Sequence, residues 1–159
     1  MSRTLLPLLL VARSRAFQAA LACSALAITS LAAPSRAAAD ITIYRGGSRW
    51  AVIEDDGDVY INGSRAGEIE DDGDVYVNGS RVGEVESDGD IYRNGSRVGE
   101  IESDGDVYIN GSRVGEIESD GDIYLNGSRW GQAQSCCASY TQLQKVVAVL
   151  VFFDSGYAR

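Results

Sequence analysis

The chain has 159 residues, with 14 basic and 23 acidic side chains and no histidine, for a formal net charge of −9. Lacking histidine, it lacks the commonest general base and the commonest metal ligand. Its acidic excess disfavours nucleic acid and anionic membrane surfaces as partners, because their phosphates repel it.

The first element is a targeting segment. Arg3, Arg13 and Arg15 precede an apolar stretch from Leu21 to Ala33, which runs into small residues ending at Ala37-Ala38-Ala39. Basic start, apolar middle and small-x-small end are the marks of an export signal, expected over residues 1–39 as a helical or disordered leader. The stretch is too short to span a bilayer comfortably. Cys23 follows Ala20-Leu21-Ala22, which makes a poor lipobox, so export to the periplasm or medium is expected rather than lipid anchoring. Removal of four arginines leaves 10 basic and 23 acidic side chains, net −13. Membrane contact after cleavage is not expected.

From residue 40 to 135 the chain repeats a sixteen-residue unit. Gly57 to Asp72 reads GDVYINGSRAGEIEDD, Gly73 to Asp88 reads GDVYVNGSRVGEVESD, and two further units follow in register. A last copy starts at Gly121, and Ile41 to Asp56 is a degraded first one. A fixed period makes each unit a supersecondary element that buries its apolar face only against its neighbours.

Within a unit, Asp58-Val59-Tyr60-Ile61 alternates as a strand does and leads into Asn62-Gly63, the sequence a type I′ hairpin turn demands. A two-residue loop there pairs Ile61 with Ser64, Tyr60 with Arg65, Val59 with Ala66 and Asp58 with Gly67. A second two-residue turn at Asp72-Gly73 would pair Ile69 with Tyr76. Period two then puts Tyr60, Arg65, Gly67 and Ile69 on one face, with the tyrosine ring over the bare glycine, and Val59, Ile61 and Ala66 on the other.

One such hairpin is unstable alone, but several around an axis share a core, and closure removes sheet edges. In these motifs (Asp-Gly-Asp-Val-Tyr, then Gly, then Val-Gly-x-Ile) the chain resembles the bacterial five-fold β-flower proteins, small exported hairpin-repeat proteins. The resemblance covers Ile41 to Phe153, including the paired Phe152-Phe153, and implies a fold without implying an activity. This chain carries six copies where the family has five. The expected fold is therefore all-β: a closed ring of five or six β-hairpin repeats, with the apolar C-terminal segment packed on it. Only the end copies place tryptophan after the arginine, at Trp50 and Trp130. A closed ring makes them neighbours, whereas an open solenoid puts them at opposite ends.

The last region, residues 136–159, begins with Cys136-Cys137. A strained vicinal bridge, two free thiols and an intermolecular bond are all open to adjacent cysteines. Lys145 to Phe153 follows as the most apolar stretch after the leader, expected to be a core segment packed across one end of the ring.

Three chemistries are open to the repeats. Tyr60, Tyr76, Tyr92, Tyr108 and Tyr124, with Arg65, Arg81, Arg97 and Arg113 opposite, are the candidate ligand-binding residues. Tyrosines can stack on sugar rings, and repetition would strengthen weak sites through multivalency. In a small β-protein the same rings can also serve as core, and the expectation is that most are buried. The arginines are expected to stack on the rings and pair with nearby aspartates. Candidate calcium ligands are Asp72, Asp74, Asp88, Asp90, Asp104 and Asp106, gathered at turns, although calcium takes six to eight oxygens and the spacing is not that of an EF-hand. Catalysis has little support: acid–base work by paired carboxylates needs two distinct environments, and near-identical repeats offer near-identical ones. No cofactor is expected. The expected role is structural or binding, toward a cell-envelope glycan or protein.

Overall fold

The computed structural model describes residues 39–157. Apart from Ala39, the predicted leader lies outside the described residues. Twelve strands follow in chain order: β1 (Ile41–Arg45), β2 (Ser48–Ile53), β3 (Asp58–Ile61), β4 (Ser64–Ile69), β5 (Asp74–Val77), β6 (Ser80–Val85), β7 (Asp90–Arg93), β8 (Ser96–Ile101), β9 (Asp106–Ile109), β10 (Ser112–Ile117), β11 (Asp122–Leu125) and β12 (Ser128–Gln134). Each pairs antiparallel with the next, and β1 also pairs with β12, so the sheet closes into a barrel without edges.

The Asn-Gly turns form as expected. Asn62 and Gly63 both take positive φ, 49° and 82°, and Ile61 pairs with Ser64 and Tyr60 with Arg65. Further from the turn the predicted register fails. Val59 pairs with Gly67, not Ala66, and Asp58 pairs with Glu68, because a β-bulge intervenes between Val59 and Tyr60. The bulge recurs in the other hairpins whose strands begin or end at an Asn-Gly turn. The extra residue exchanges the faces beyond it, at Val52 in β2 as at Glu68 in β4. In an unbroken ladder Glu68 would share a face with Val59, whereas one extra residue turns Glu68 outward and brings Gly67 and Ile69 in beside Val59.

The face assignment changes accordingly. Val59, Gly67 and Ile69 are buried inside the barrel, and Tyr60, Arg65 and Glu68 lie outside. The junction turn also differs from expectation. Glu70 N donates to Asp74 O at 2.9 Å and Gly73 N to Glu70 O at 3.0 Å, so the loop has three residues, Asp71, Asp72 and Gly73. Gly73 sits at φ 96°, which favours glycine. This one extra residue pairs Ile69 with Val75 rather than Tyr76.

The C-terminal segment forms α1 (Tyr140–Phe153). Ser139 caps it, its side chain accepting from Gln142 N. Six consecutive residues, Val146 to Val151, are buried whatever face they occupy. A helix apolar all round is stable only when enclosed all round, and here the barrel encloses it: one apolar cluster joins these residues to Ile43, Val59, Val75, Ile91, Val107 and Ile123 of successive hairpins. The expected packing across one end is thus replaced by packing within the bore. A twelve-stranded barrel is wider than the eight-stranded kind that side chains alone can fill. A rod of 14 residues, about 21 Å long, fills it.

Two mid-strand glycines, Gly67 and Gly83, make room for the end of the helix rather than for a tyrosine ring. A Cβ on Gly67 would run into the Tyr76 carbonyl oxygen and lie 2.9 Å from the Phe153 ring. At Gly83 it would meet the Tyr92 carbonyl and approach the Phe152 ring to 2.5 Å. The end of the helix is further fixed by Arg93, which donates to Val151 O at 2.6 Å and lies over the Phe152 ring.

At the seam, Trp50 and Trp130 meet edge to face with centroids 5.1 Å apart, as ring closure requires. The buried Tyr157 ring meets Trp130 edge to face, and the Arg45 guanidinium lies over the Trp130 ring at 4.8 Å. Cys136 and Cys137 form the vicinal bridge among the three alternatives. They sit in the link from β12 to α1, where Gln142 Oε1 accepts from Cys137 N and Ala138 N.

Candidate functional site

The outer face of the barrel carries the repeated chemistry. In each of the four middle hairpins the bulge aims an aspartate, a tyrosine, an arginine and a glutamate outward together. Arg65 Nε and Nη2 grip Asp58 at 2.7 and 2.5 Å, and Nη2 reaches Glu68 at 3.1 Å. Arg81 holds Asp74 and Glu84 in the same way, while Arg97 holds Asp90 and Glu100, and Arg113 holds Asp106 and Glu116, through Nη2. In the last copy Arg129 holds Asp122 through Nε and Nη2. These hydrogen bonds hold Asp58, Asp74, Asp90 and Asp122 below the ordinary carboxylate range and raise the arginines. The pairs are exposed and screened by solvent, so each contributes little to stability. Their larger effect is to hold the polar groups in one geometry around the ring.

Tyr60, Tyr76, Tyr92, Tyr108 and Tyr124 are half-buried on this outer face, one on every second strand. The expectation that most of the rings are core is corrected here, since the core is built from the residues on either side of them. Tyr76 has Arg81 across one neighbour and Glu68 across the other. The arginines turn to carboxylates, and the cation–π contacts of the described residues are those of Arg45 with Trp130 and Arg93 with Phe152. The phenols are raised above their ordinary value. The carboxylate of the preceding turn is the chief cause for Tyr60, Tyr76 and Tyr124, and burial is for Tyr92 and Tyr108. Adjacent strands are about 4.8 Å apart, so neighbouring tyrosines stand about 10 Å apart across the sheet. The result is a belt of aromatic faces alternating with fixed donors and acceptors.

The turns at the other end of each strand pair gather carboxylates. Glu70, Asp72 and Asp74 bring oxygens within 4.8 Å of one another, as do Glu102, Asp104 and Asp106. Glu54, Asp56 and Asp58, and Glu118, Asp120 and Asp122, do likewise. The glutamates Glu54, Glu102 and Glu118 were missed by reading aspartates alone. The Glu-x-Asp-x-Asp spacing, repeated every sixteen residues, was the signal for them. Burial first, and then neighbouring aspartates, raise Glu54, Glu70 and Glu118. Asp88 and Asp90 belong to the turn that docks the helix, where Gln144 Nε2 donates to Glu86 O at 2.6 Å and Tyr140 Oη to Asp88 O at 3.1 Å. One aspartate of each triad is already engaged by an arginine, which weakens it as a cation ligand.

No family model, no curated protein and no solved structure matches this chain.

Sequence reasoning also missed a recess at the seam, bordered by Tyr44, Arg129, Gln132 and Gln134. Its signal lies in the end copies, where Gln132 and Gln134 stand in place of repeat glutamates such as Glu68 and Glu70.

Proposed function

We propose that this chain is a non-enzymatic exported module that holds a cell-envelope glycan on the outer face of its barrel. The observation that carries this reading is the placement of Tyr60, Tyr76, Tyr92, Tyr108 and Tyr124 in one circumferential row, half-exposed. Each is flanked by an arginine, locked between two carboxylates beside the first four and held by Asp122 alone beside Tyr124. Half-exposed aromatic faces accept the C–H face of a sugar ring, while the fixed polar groups meet its hydroxyls. A single such site is weak. Repetition about every 10 Å would let one polymer engage several at once.

The neutralised arginines favour an uncharged or zwitterionic glycan over a polyanion, and the overall negative charge opposes nucleic acid and anionic lipid. Among the described residues no helix is long and apolar enough to cross a membrane. Export rests on the leader pattern from Arg3 to Ala39. We read the ring as six-fold, one hairpin more than the β-flower proteins that the repeat resembles.

Cosedimentation with insoluble chitin and with purified peptidoglycan tests the reading. The mature chain should pellet with at least one of them, and a folded Tyr76→Ala, Tyr92→Ala, Tyr108→Ala triple variant should lose about tenfold or more in affinity. Retention of full binding by that variant would overturn it.

A second reading, a calcium-dependent structural protein, is favoured by the four Glu-x-Asp-x-Asp triads. If it holds, millimolar calcium raises the melting temperature, and a chelator lowers it again. Equal melting with and without calcium removes it.

A further inference from the structure

The two strands that close the barrel break the repeat at several positions, and the breaks alter one patch. The outward glutamate three residues after arginine (Glu68, Glu84, Glu100, Glu116) becomes Gln132 in β12. The turn glutamate of the inner copies (Glu70, Glu86, Glu102, Glu118) becomes Gln134. The asparagine of the hairpin turn becomes Gly46, and the small residue at the bulge becomes Trp130. Across the seam Tyr44 pairs with Gln132 and Thr42 with Gln134. Two carboxylates are thus replaced by amides, side-chain bulk is removed from the turn, and an indole is added.

A recess of about 420 Å³ opens at this patch, bordered by Tyr44, Arg129, Trp130, Gln132, Gln134 and the Gly46-Gly47 turn. The volume suits a small ligand of one or two rings. Each glutamine amide offers both donors and an acceptor, so the pair can meet a hydroxyl in either role. Tyr44 and Trp130 supply aromatic surface. Arg129 keeps its donors in place, but Asp122 neutralises its charge with two hydrogen bonds, at 2.9 and 2.6 Å. Among the residues that border the recess no carboxylate remains to attract a cation, and the one cation, Arg129, is paired with Asp122. What remains complements a neutral polyhydroxylated ring.

We propose that the seam recess is a single, discrete binding site for a neutral mono- or disaccharide, distinct from the repeated belt. It deepens the glycan reading and rests on it only for the class of ligand, since the residues and geometry are the seam's own.

The assay is built into the chain. Trp50 and Trp130 are its only tryptophans and both lie at the seam, so intrinsic fluorescence reports this site and not the belt. The mature protein is titrated with cellobiose, N,N′-diacetylchitobiose and maltose, each to about 10 mM, where a millimolar site would saturate. The expected result is a saturable fluorescence change with one of them at one ligand per chain. Gln132→Glu with Gln134→Glu restores the residues of the inner repeats, which already fold in that setting, and should weaken binding tenfold or more. Tyr44→Ala should do the same by a different route. The belt triple variant should leave the titration unchanged.

Absence of any saturable response in the unaltered protein would overturn the seam site. So would a response that both seam variants preserve. If chitin or peptidoglycan is still bound while all three disaccharides are silent, the seam site falls and the belt stands. If the belt variant abolishes nothing while the seam variants abolish the disaccharide response, the belt falls and the seam stands.

Discussion

Leu150→Ala tests the enclosure of α1 by the barrel. Leu150 is fully buried at the middle of a run in which every residue from Val146 to Val151 is buried. Truncation removes the transfer free energy of the lost carbons and leaves a cavity. A closed sheet with continuous pairing from β1 round to β12 cannot collapse onto that cavity as an open sheet can. The cost should therefore fall in the upper part of the usual Leu→Ala range, about 3–5 kcal/mol. For a domain of this size each kcal/mol moves the melting temperature by about 3–5 °C, so a fall of about 10–20 °C is expected. Thermal unfolding followed by far-ultraviolet circular dichroism measures it, with the denaturant m-value as a check that the unfolded state is unchanged. Thr141→Ala, at an exposed position on the same helix, is the control and should stay within about 0.5 kcal/mol of the parent. A Leu150→Ala shift as small as that of the control would mean that the helix is not enclosed, and the account of the core would fail with it.

Three further outcomes follow from the same geometry. Trp130→Val should cost about 1–2 kcal/mol through loss of the edge-to-face contact with Trp50 and of apolar area, and should raise amide exchange in β1 and β12 above that in β5 and β6. Gly83→Ala should lower the melting temperature sharply, because its Cβ would enter the space of the Tyr92 carbonyl and the Phe152 ring; Ser96→Ala, at an exposed strand end, should not. The pH profile should fall at both ends. Asp58, Asp74, Asp90 and Asp122 titrate lower in the fold than unfolded, so their contribution is present above about pH 4 and is lost as pH drops through the depressed values. Tyr60, Tyr76, Tyr92, Tyr108 and Tyr124 titrate higher in the fold, so theirs is present below about pH 10 and is lost as pH rises toward the raised values. Melting curves from pH 2 to 11 would show a plateau between these limits, and an unchanged melting temperature across them would contradict both assignments.

Much of the fold was legible because turn chemistry is local. Asn62-Gly63 dictates its own geometry, and the positions nearest it, Ile61 with Ser64 and Tyr60 with Arg65, pair as counted. Closure was legible in the two tryptophans, the only departures that made sense as partners across a seam. The bulge was not counted, and one residue of slip exchanges the faces. A warning was present: the unbulged register puts Glu68 on the apolar face with Val59, which no core tolerates. The helix was misplaced for a similar reason. Its run from Val146 to Val151 has no polar face at all, and such a run calls for enclosure rather than for docking on an end. The tyrosine belt could be listed from the sequence but not located, because the bulge decides on which side of the sheet it lies. The seam recess needed strands from opposite ends of the repeat region side by side, and only the closed structure brings Tyr44 to Gln132.

The claim that the outer belt binds glycan through many weak sites is tested most directly by the dependence of affinity on ligand length. The mature chain would be titrated by calorimetry with chitin oligosaccharides from the disaccharide upward, then with long-chain glycol chitin, a soluble neutral polymer, at fixed concentration of sugar units. The account predicts affinity per chain rising with length by a factor on the order of 10²–10⁴ once a polymer spans several tyrosines. The Tyr76→Ala, Tyr92→Ala, Tyr108→Ala variant should flatten that rise. An affinity independent of length, or a length dependence that survives loss of the three tyrosines, would contradict it.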